Sequence, residues 1–144
     1  MTFDEVNGNV FNYAKTHVLA HCIASDLCMG AGIAVPMKKK FGLSGLRQLS
    51  KEELKHPTCV YYNGVLNLIT KKNSTGKPNY STMADALRVM RKIVTREKIA
   101  KIAMPRIGCG LDRLEWPLVR DLIQCLFKDI DVSIVVVKLV GKGG

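Results

Sequence analysis

Cysteine motifs, aromatic residues and long apolar runs are all scarce in this sequence, and each shortage narrows what the chain can be. The five cysteines, Cys22, Cys28, Cys59, Cys109 and Cys125, are odd in number, and no two stand in Cys-x-x-Cys spacing. His17, His21 and His56 complete no zinc pattern with them. A disulfide scaffold and a metal site are therefore not expected, and reduced thiols are. Aromatic residues make up 6% of the chain, with a single tryptophan, and they do not alternate with basic residues. That argues against a base-stacking platform for single-stranded nucleic acid. No apolar run approaches the length of a bilayer span, and Met1 to Val6 lack the basic and apolar regions of a signal peptide. The expectation is an intracellular protein of the nucleus or cytoplasm that does not meet a membrane.

Acidic residues are also outnumbered, 12 against 22 Lys and Arg, for a net charge of +10. Such a surplus attracts polyanions. It gathers in Lys38-Lys39-Lys40, in Lys71-Lys72 and between Arg88 and Lys101. Any one of these clusters, taken alone, reads as a solvated face. With 47% apolar and 24% charged residues, 144 positions suffice for one domain with a substantial core. Residues 1–140 are assigned to that domain, and 141–144 to a flexible tail.

Strands and helices alternate. Phe3 to Val6 reads as a short strand ending in the turn Asn7-Gly8-Asn9, and His17 to Ile23 as a buried strand. A glycine loop, Asp26 to Ala34, opens a helix through Lys40, which Gly42 closes. Leu43 to Leu54 reads as a further short helix. Asn63-Gly64 between Thr58–Tyr62 and Val65–Thr70 is a hairpin signal. After the polar loop Lys72–Asn79, Ser81 is the expected cap of a helix to Glu97, with Met83, Leu87, Met90 and Ile93 or Val94 inward. Ile99–Met104 and Val132–Leu139 complete the strands, and Trp116–Phe127 is a helix with Pro117 in its first turn. The pattern predicts an α/β fold with a mixed sheet and helices on both faces.

Both glycine loops follow strand ends, where open α/β sheets bind ligands. Neither matches a nucleoside-triphosphatase or dinucleotide fingerprint. Gly108 and Gly110 allow a tight turn whose N–H groups approach an anion, with a helix start behind them. Two such loops facing each other would clasp a diphosphate. Asp112 ends the second loop, either as a helix-start acid or as a group aimed at the ligand. Cys109, between the glycines, reads as a small residue rather than a nucleophile. Lys71 ends an apolar strand. Burial of its stem, and the like charge of Lys72 at a distance, would favour a neutral, nucleophilic amine. From the residues alone, a surface lysine at a strand end explains it better.

The runs Ala20-His-Cys-Ile23, Met29-Gly-Ala-Gly-Ile-Ala-Val35, Lys38-Lys-Lys-Phe-Gly42, Leu68-Ile-Thr-Lys-Lys72, Lys77-Pro78 and Met104-Pro-Arg-Ile-Gly-Cys-Gly-Leu-Asp-Arg-Leu114 resemble the macrodomains. The resemblance is to their terminal ADP-ribose protein glycohydrolase branch, also described as O-acetyl-ADP-ribose deacetylases. It spans nearly the whole chain in the family's order. It implies a three-layer α/β/α macrodomain that works without a cofactor or metal. It implies that Gly30, Ala31, Gly32 and Ile33 of one loop, with Arg106, Ile107, Gly108, Cys109, Gly110 and Leu111 of the other, hold the pyrophosphate. Asn9, Val10, Ala24 and Leu139 would complete the ADP-ribose site, with Lys71 and Asp112 catalytic. The implied partners are ADP-ribose and ADP-ribosylated proteins, bound by a monomer. Poly(ADP-ribose) or nucleic acid would meet the basic surface.

Departures from the family pattern are few. The usual Gly-Asp pair, whose acid meets the adenine amino group, is Gly8-Asn9. The amide oxygen can still accept one hydrogen bond, without charge assistance. A serine that often follows His-Cys-Ile is Ala24, and residues continue past Leu139, where the family chain can end. Two other readings remain open: a reader that binds ADP-ribose without turnover, and a nucleic-acid-binding protein acting through its charge.

Overall fold

The run Val65–Lys71 is buried at every position but its last, as a strand covered on both faces must be. It is strand β4 of a computed structural model that describes residues 1–139. Val140 and the tail assigned to 141–144 lie outside the described residues. The other strands are β1 (Thr2–Gly8), β2 (Val18–Ala24), β3 (Thr58–Tyr62), β5 (Lys101–Met104) and β6 (Ser133–Leu139). They form one sheet in the order β1-β6-β5-β2-β4-β3. All neighbours are parallel except β3, which pairs antiparallel with β4 through the Asn63-Gly64 turn. Both turn residues have positive φ, +48° and +75°, as a two-residue hairpin of this hand requires.

Helices α1 (Ala34–Phe41), α2 (Tyr80–Glu97) and α3 (Trp116–Phe127) cover the two faces. On one face Met83, Leu87 and Met90 of α2 and Ile123 and Phe127 of α3 pack with Leu66 and Leu68. On the other, Met37 of α1 packs with Leu19, Val65 and Ile69, together with Leu43 and Leu46. The result is a three-layer α/β/α arrangement around a mixed sheet. Because every strand but β3 runs the same way, Gly8, Ala24, Lys71, Met104 and Leu139 all emerge along one edge.

Three local expectations are corrected. The cap of α2 is Asn79, not Ser81: its side chain accepts from Thr82 N–H while the Thr82 hydroxyl accepts from Asn79 N–H. The segment read as a helix over Leu43–Leu54 is a 3₁₀ turn over Leu43–Gln48 followed by turns. His17 precedes β2 instead of opening it. A second 3₁₀ turn, Val10–Tyr13, has no counterpart in the sequence reading.

His21 and Asn67 face each other across β2 and β4 in the middle of the sheet. Both Asn67 amide hydrogens go to carbonyls, those of Val60 and Val65, so its Oδ1 accepts and His21 Nε2 must donate, at 2.6 Å. The His21 Nδ1 has no partner among the described residues. Burial pushes this imidazole down from 6.5 to about 4, although the Asn67 hydrogen bond acts the other way. The folded state therefore stays neutral at a pH where the unfolded chain takes up a proton. Stability is complete above pH 6.5 and falls as pH drops toward 4, by roughly 3 kcal/mol if burial is fully felt. His17, also held down by burial and by Lys101, adds a smaller part. We expect the urea midpoint to fall between pH 7 and pH 5, and His21→Gln, which keeps the donor to Asn67, to remove most of that slope. A slope unchanged in the variant would show that His21 does not carry it.

Candidate active site

Lys71 is the last residue of β4, and the β2–β4 register breaks beside it. Ile23 faces Ile69, but Ala24 faces Lys71, leaving Thr70 as the extra residue of a bulge. A bulge turns side chains out of regular alternation and is a common device beside active sites. The chain after β5 turns through residues 105–115 before α3. In that turn Leu114 N–H donates to the Gly108 carbonyl at 2.7 Å and Glu115 N–H to the Tyr80 hydroxyl at 2.9 Å. The turn places Asp112 over the end of β4. Lys71 Nζ donates to Asp112 Oδ1 at 2.7 Å, and each side chain is 15% exposed. Asp112 is therefore not a helix-start acid, since α3 is capped at Glu115. The charge beside the Lys71 amine is this carboxylate rather than Lys72.

The polar loop between β4 and α2 fastens both glycine loops. Asp26 accepts from Ser74 N–H and the Ser74 hydroxyl, each at 2.7 Å, and from Cys28 N–H at 3.0 Å. Burial alone would raise the Asp26 carboxyl. Those hydrogen bonds, with the charge of Lys71, outweigh it and hold the group below its ordinary value. On the other side Lys77 Nζ donates to the Leu111 carbonyl at 2.8 Å. Sequence reasoning missed Asp26 and Ser74 as site residues and saw Lys77 only within the family motif. Their partners lie 48 and 34 positions away, beyond any local pattern.

The two loops offer unused donors. Among the described residues, the N–H groups of Gly30, Ala31, Gly32 and Ile33, and those of Gly110, Leu111 and Asp112, reach no protein acceptor. Convergent free amides make an anion cradle. Leu27, Met29 and Arg113, none of them glycine, hold positive φ of 58°, 46° and 63° around this cradle. Each costs on the order of 1–2 kcal/mol, and such strain clusters at ligand clamps.

The remaining sequence-assigned residues divide. Asn9 caps the Val10–Tyr13 turn, its Oδ1 accepting Phe11 N–H at 2.9 Å, so one lone pair is already used. Val10 and Ala24 are buried, and Leu111 and Leu139 stand exposed. Ile107 is a core residue, 2% exposed, so its backbone alone can face a ligand. The Arg106 side chain lies over the Trp116 ring, 5.7 Å from its centroid, away from the free amides. Burial pushes the Cys109 thiol up to about 11, against the effect of Arg106, which does not suit a nucleophile. All five cysteines are unpaired. Among the described residues no three His, Cys, Asp or Glu side chains gather as a metal would need, and no helix is long and apolar enough to cross a membrane.

The two loop glycines differ in kind. Gly108 has φ +75°, and a Cβ there would lie 2.7 Å from Met83 Cε and 3.0 Å from Leu114 Cδ1. Gly110 has neither a positive φ nor a neighbour within 4 Å. Nothing in the fold demands glycine at 110, whereas a ligand lying on the backbone would. Gly108→Ala should cost about 1–3 kcal/mol of stability. Gly110→Ala should leave the melting temperature unchanged and weaken binding of an anion lying on this backbone, which thermal melts with and without a diphosphate ligand would read. Unchanged binding would place the ligand elsewhere.

A mixed six-stranded sheet between helical layers, with two amide-lined loops on its parallel edge, is the fold of the solved macrodomains. The macrodomain of Mycobacterium tuberculosis DarG superposes with a TM-score of 0.82 at 19% identity, covering 94% of this chain and 97% of that one. Thermosipho africanus DarTG in complex with ADP-ribose gives 0.77 at 19% identity, over 96% of this chain and 42% of that one. No protein-family model matches the chain. Human ADP-ribose glycohydrolase OARD1 is 40% identical, over 93% of this chain and 90% of that protein. The chain belongs to the macrodomain family, in the branch of OARD1.

Proposed function

We propose that this protein is an ADP-ribose glycohydrolase that frees ADP-ribose from ester-linked Glu or Asp on proteins and deacetylates O-acetyl-ADP-ribose in the same site. The observation that carries this reading is the 2.7 Å pair of Lys71 Nζ and Asp112 Oδ1 beside two loops of free amides. The amides hold the pyrophosphate, and its binding energy fixes the distal ribose over Lys71. Attack by an amine needs a lone pair on Nζ, and Asp112 is placed to take the proton. Nζ then bonds the anomeric carbon as the C–O bond to the protein carboxylate breaks, and the carboxylate leaves with the bonding pair. Water attacks the same carbon as the C–N bond breaks; Asp112 returns its proton to the departing amine, and the carboxylate so freed takes the proton that the water loses and passes it to solvent. Ring rearrangement is an alternative resolution of the lysyl intermediate. The site residues themselves would serve ADP-ribosylated proteins and a monomeric enzyme of the nucleus or cytoplasm.

A second ligand class is favoured by one observation. Arg88, Arg91, Lys92 and Arg96 line a groove of about 460 Å³ on α2; Arg88 and Arg96 pair with Asp85 and Glu97, and Arg91 and Lys92 have no carboxylate partner among the described residues. Polyanions, poly(ADP-ribose) or nucleic acid, would meet it through salt-sensitive contacts. Calorimetry with ADP-ribose and with RNA at two salt concentrations, followed by an assay on glutamate-modified protein, tests both. Binding of ADP-ribose with release from the ester is the expected result. Binding with no release would make the protein a reader, and RNA outcompeting ADP-ribose would make it a nucleic-acid-binding protein.

A further inference from the structure

A cavity of about 270 Å³ opens between β1, β6 and α3, beyond the residues assigned to catalysis. Its walls carry three cations, Arg106, Arg120 and Lys138, and one carboxylate, Glu5. The carboxylate is already engaged. Glu5 Oε1 accepts the Trp116 indole N–H, at 2.6 Å, and Oε2 pairs with Arg120 at 3.2 Å. The indole hydrogen bond, against the opposing effect of burial, keeps Glu5 ionised below the usual carboxylate range, with Arg120 and Arg106 contributing. Arg106 and Lys138 have no carboxylate partner among the described residues. Counting Glu5 against Arg120, the cavity keeps two uncompensated positive charges, and a guanidinium presents a fork that matches phosphate oxygens.

Its place in the fold is informative. Asn7 and Lys138 face each other in register at the ends of β1 and β6. The residues that follow them, Asn9 after Gly8 and Leu139, are both assigned to the ADP-ribose site, Asn9 at its adenine end. Arg106 opens the loop that carries Asp112. The cavity thus lies beside the strand ends that lead to Asn9 and Leu139.

We infer that this cavity is a second anion subsite, one that takes a phosphate group beyond the adenosine of a bound ADP-ribose. The inference rests on the ADP-ribose reading of the main site. Such a phosphate could be an ester on the adenosine ribose, or be a free phosphate ion.

Trp116, the sole tryptophan, reports on the subsite, because Arg106 covers its ring and Glu5 ties its N–H to Arg120. With the main site saturated by ADP-ribose, inorganic phosphate should still change Trp116 emission saturably. Lys138→Gln, an exposed substitution, should weaken that response by about fivefold or more. Calorimetry should show ADP-ribose bearing a 2′-phosphate on its adenosine ribose binding about tenfold tighter than ADP-ribose, with the gain lost in Lys138→Gln. Affinity for plain ADP-ribose should stay within about twofold in that variant. A gain with the attached phosphate identifies the covalent source, and an emission response without such a gain identifies the free ion. No emission response and no gain would overturn the subsite while leaving ADP-ribose binding intact. Failure of ADP-ribose itself to bind would instead overturn the reading of the main site, and inorganic phosphate titrated on the free protein, with and without Lys138→Gln, would then still test the cavity.

Discussion

Asp112→Ala should abolish release of ADP-ribose from glutamate-modified protein, lowering kcat by roughly a thousandfold, the scale of a lost general acid–base. The carboxylate is the ion-pair partner of Lys71, and both side chains are 15% exposed. Removing it takes away the acceptor for the amine's proton and leaves a partly buried ammonium without its counter-charge. Asp112→Asn separates these effects. The amide oxygen can still accept from Nζ and hold the lysine in place, but it cannot take the proton. Both variants should bind ADP-ribose, because the cradle is backbone. An Asn variant that turns over near the wild-type rate would remove Asp112 from the proton transfer.

Lys71→Ala should be as inactive, with ADP-ribose affinity within about tenfold of wild type, ~1.4 kcal/mol. Lys71→Arg is the sharper variant. A guanidinium keeps the positive charge and can pair with Asp112, yet it does not give up a proton and is no nucleophile. If Lys71 serves merely to position Asp112 or the ribose, Arg should restore much of the activity lost in Ala. If it attacks the sugar, Arg should be as dead as Ala while binding normally. Comparing kcat of the two variants on the ester substrate reads this directly.

Much of this site was legible beforehand where local chemistry decides it. Asn-Gly at 63–64 dictates its own turn, and the inward stripe of α2 follows helical spacing, with Met83, Leu87 and Met90 fully buried. Motif resemblance selected Lys71 and Asp112 from among many lysines and acids. It could not give their separation, because 41 positions lie between them. What escaped the sequence was contact across the fold. Asp26 and Ser74 meet only because β2 and β4 are neighbours with a bulge at their ends. Arg106 turns onto Trp116 because Glu5, 111 positions away, anchors that indole. The Asn79 cap escaped for a local reason: Asn79 and Ser81 are both good caps, and the Thr82 hydroxyl decides between them by closing the reciprocal pair.

The central claim is that the Lys71 amine becomes bonded to the sugar during turnover. The most direct measurement is mass spectrometry of peptides from wild-type protein quenched while cleaving the glutamate ester. The mechanism predicts an adduct of one ADP-ribose on the peptide carrying Lys71, rising and decaying with turnover. Rapid turnover with that peptide never modified, or with the adduct on another residue, would contradict it.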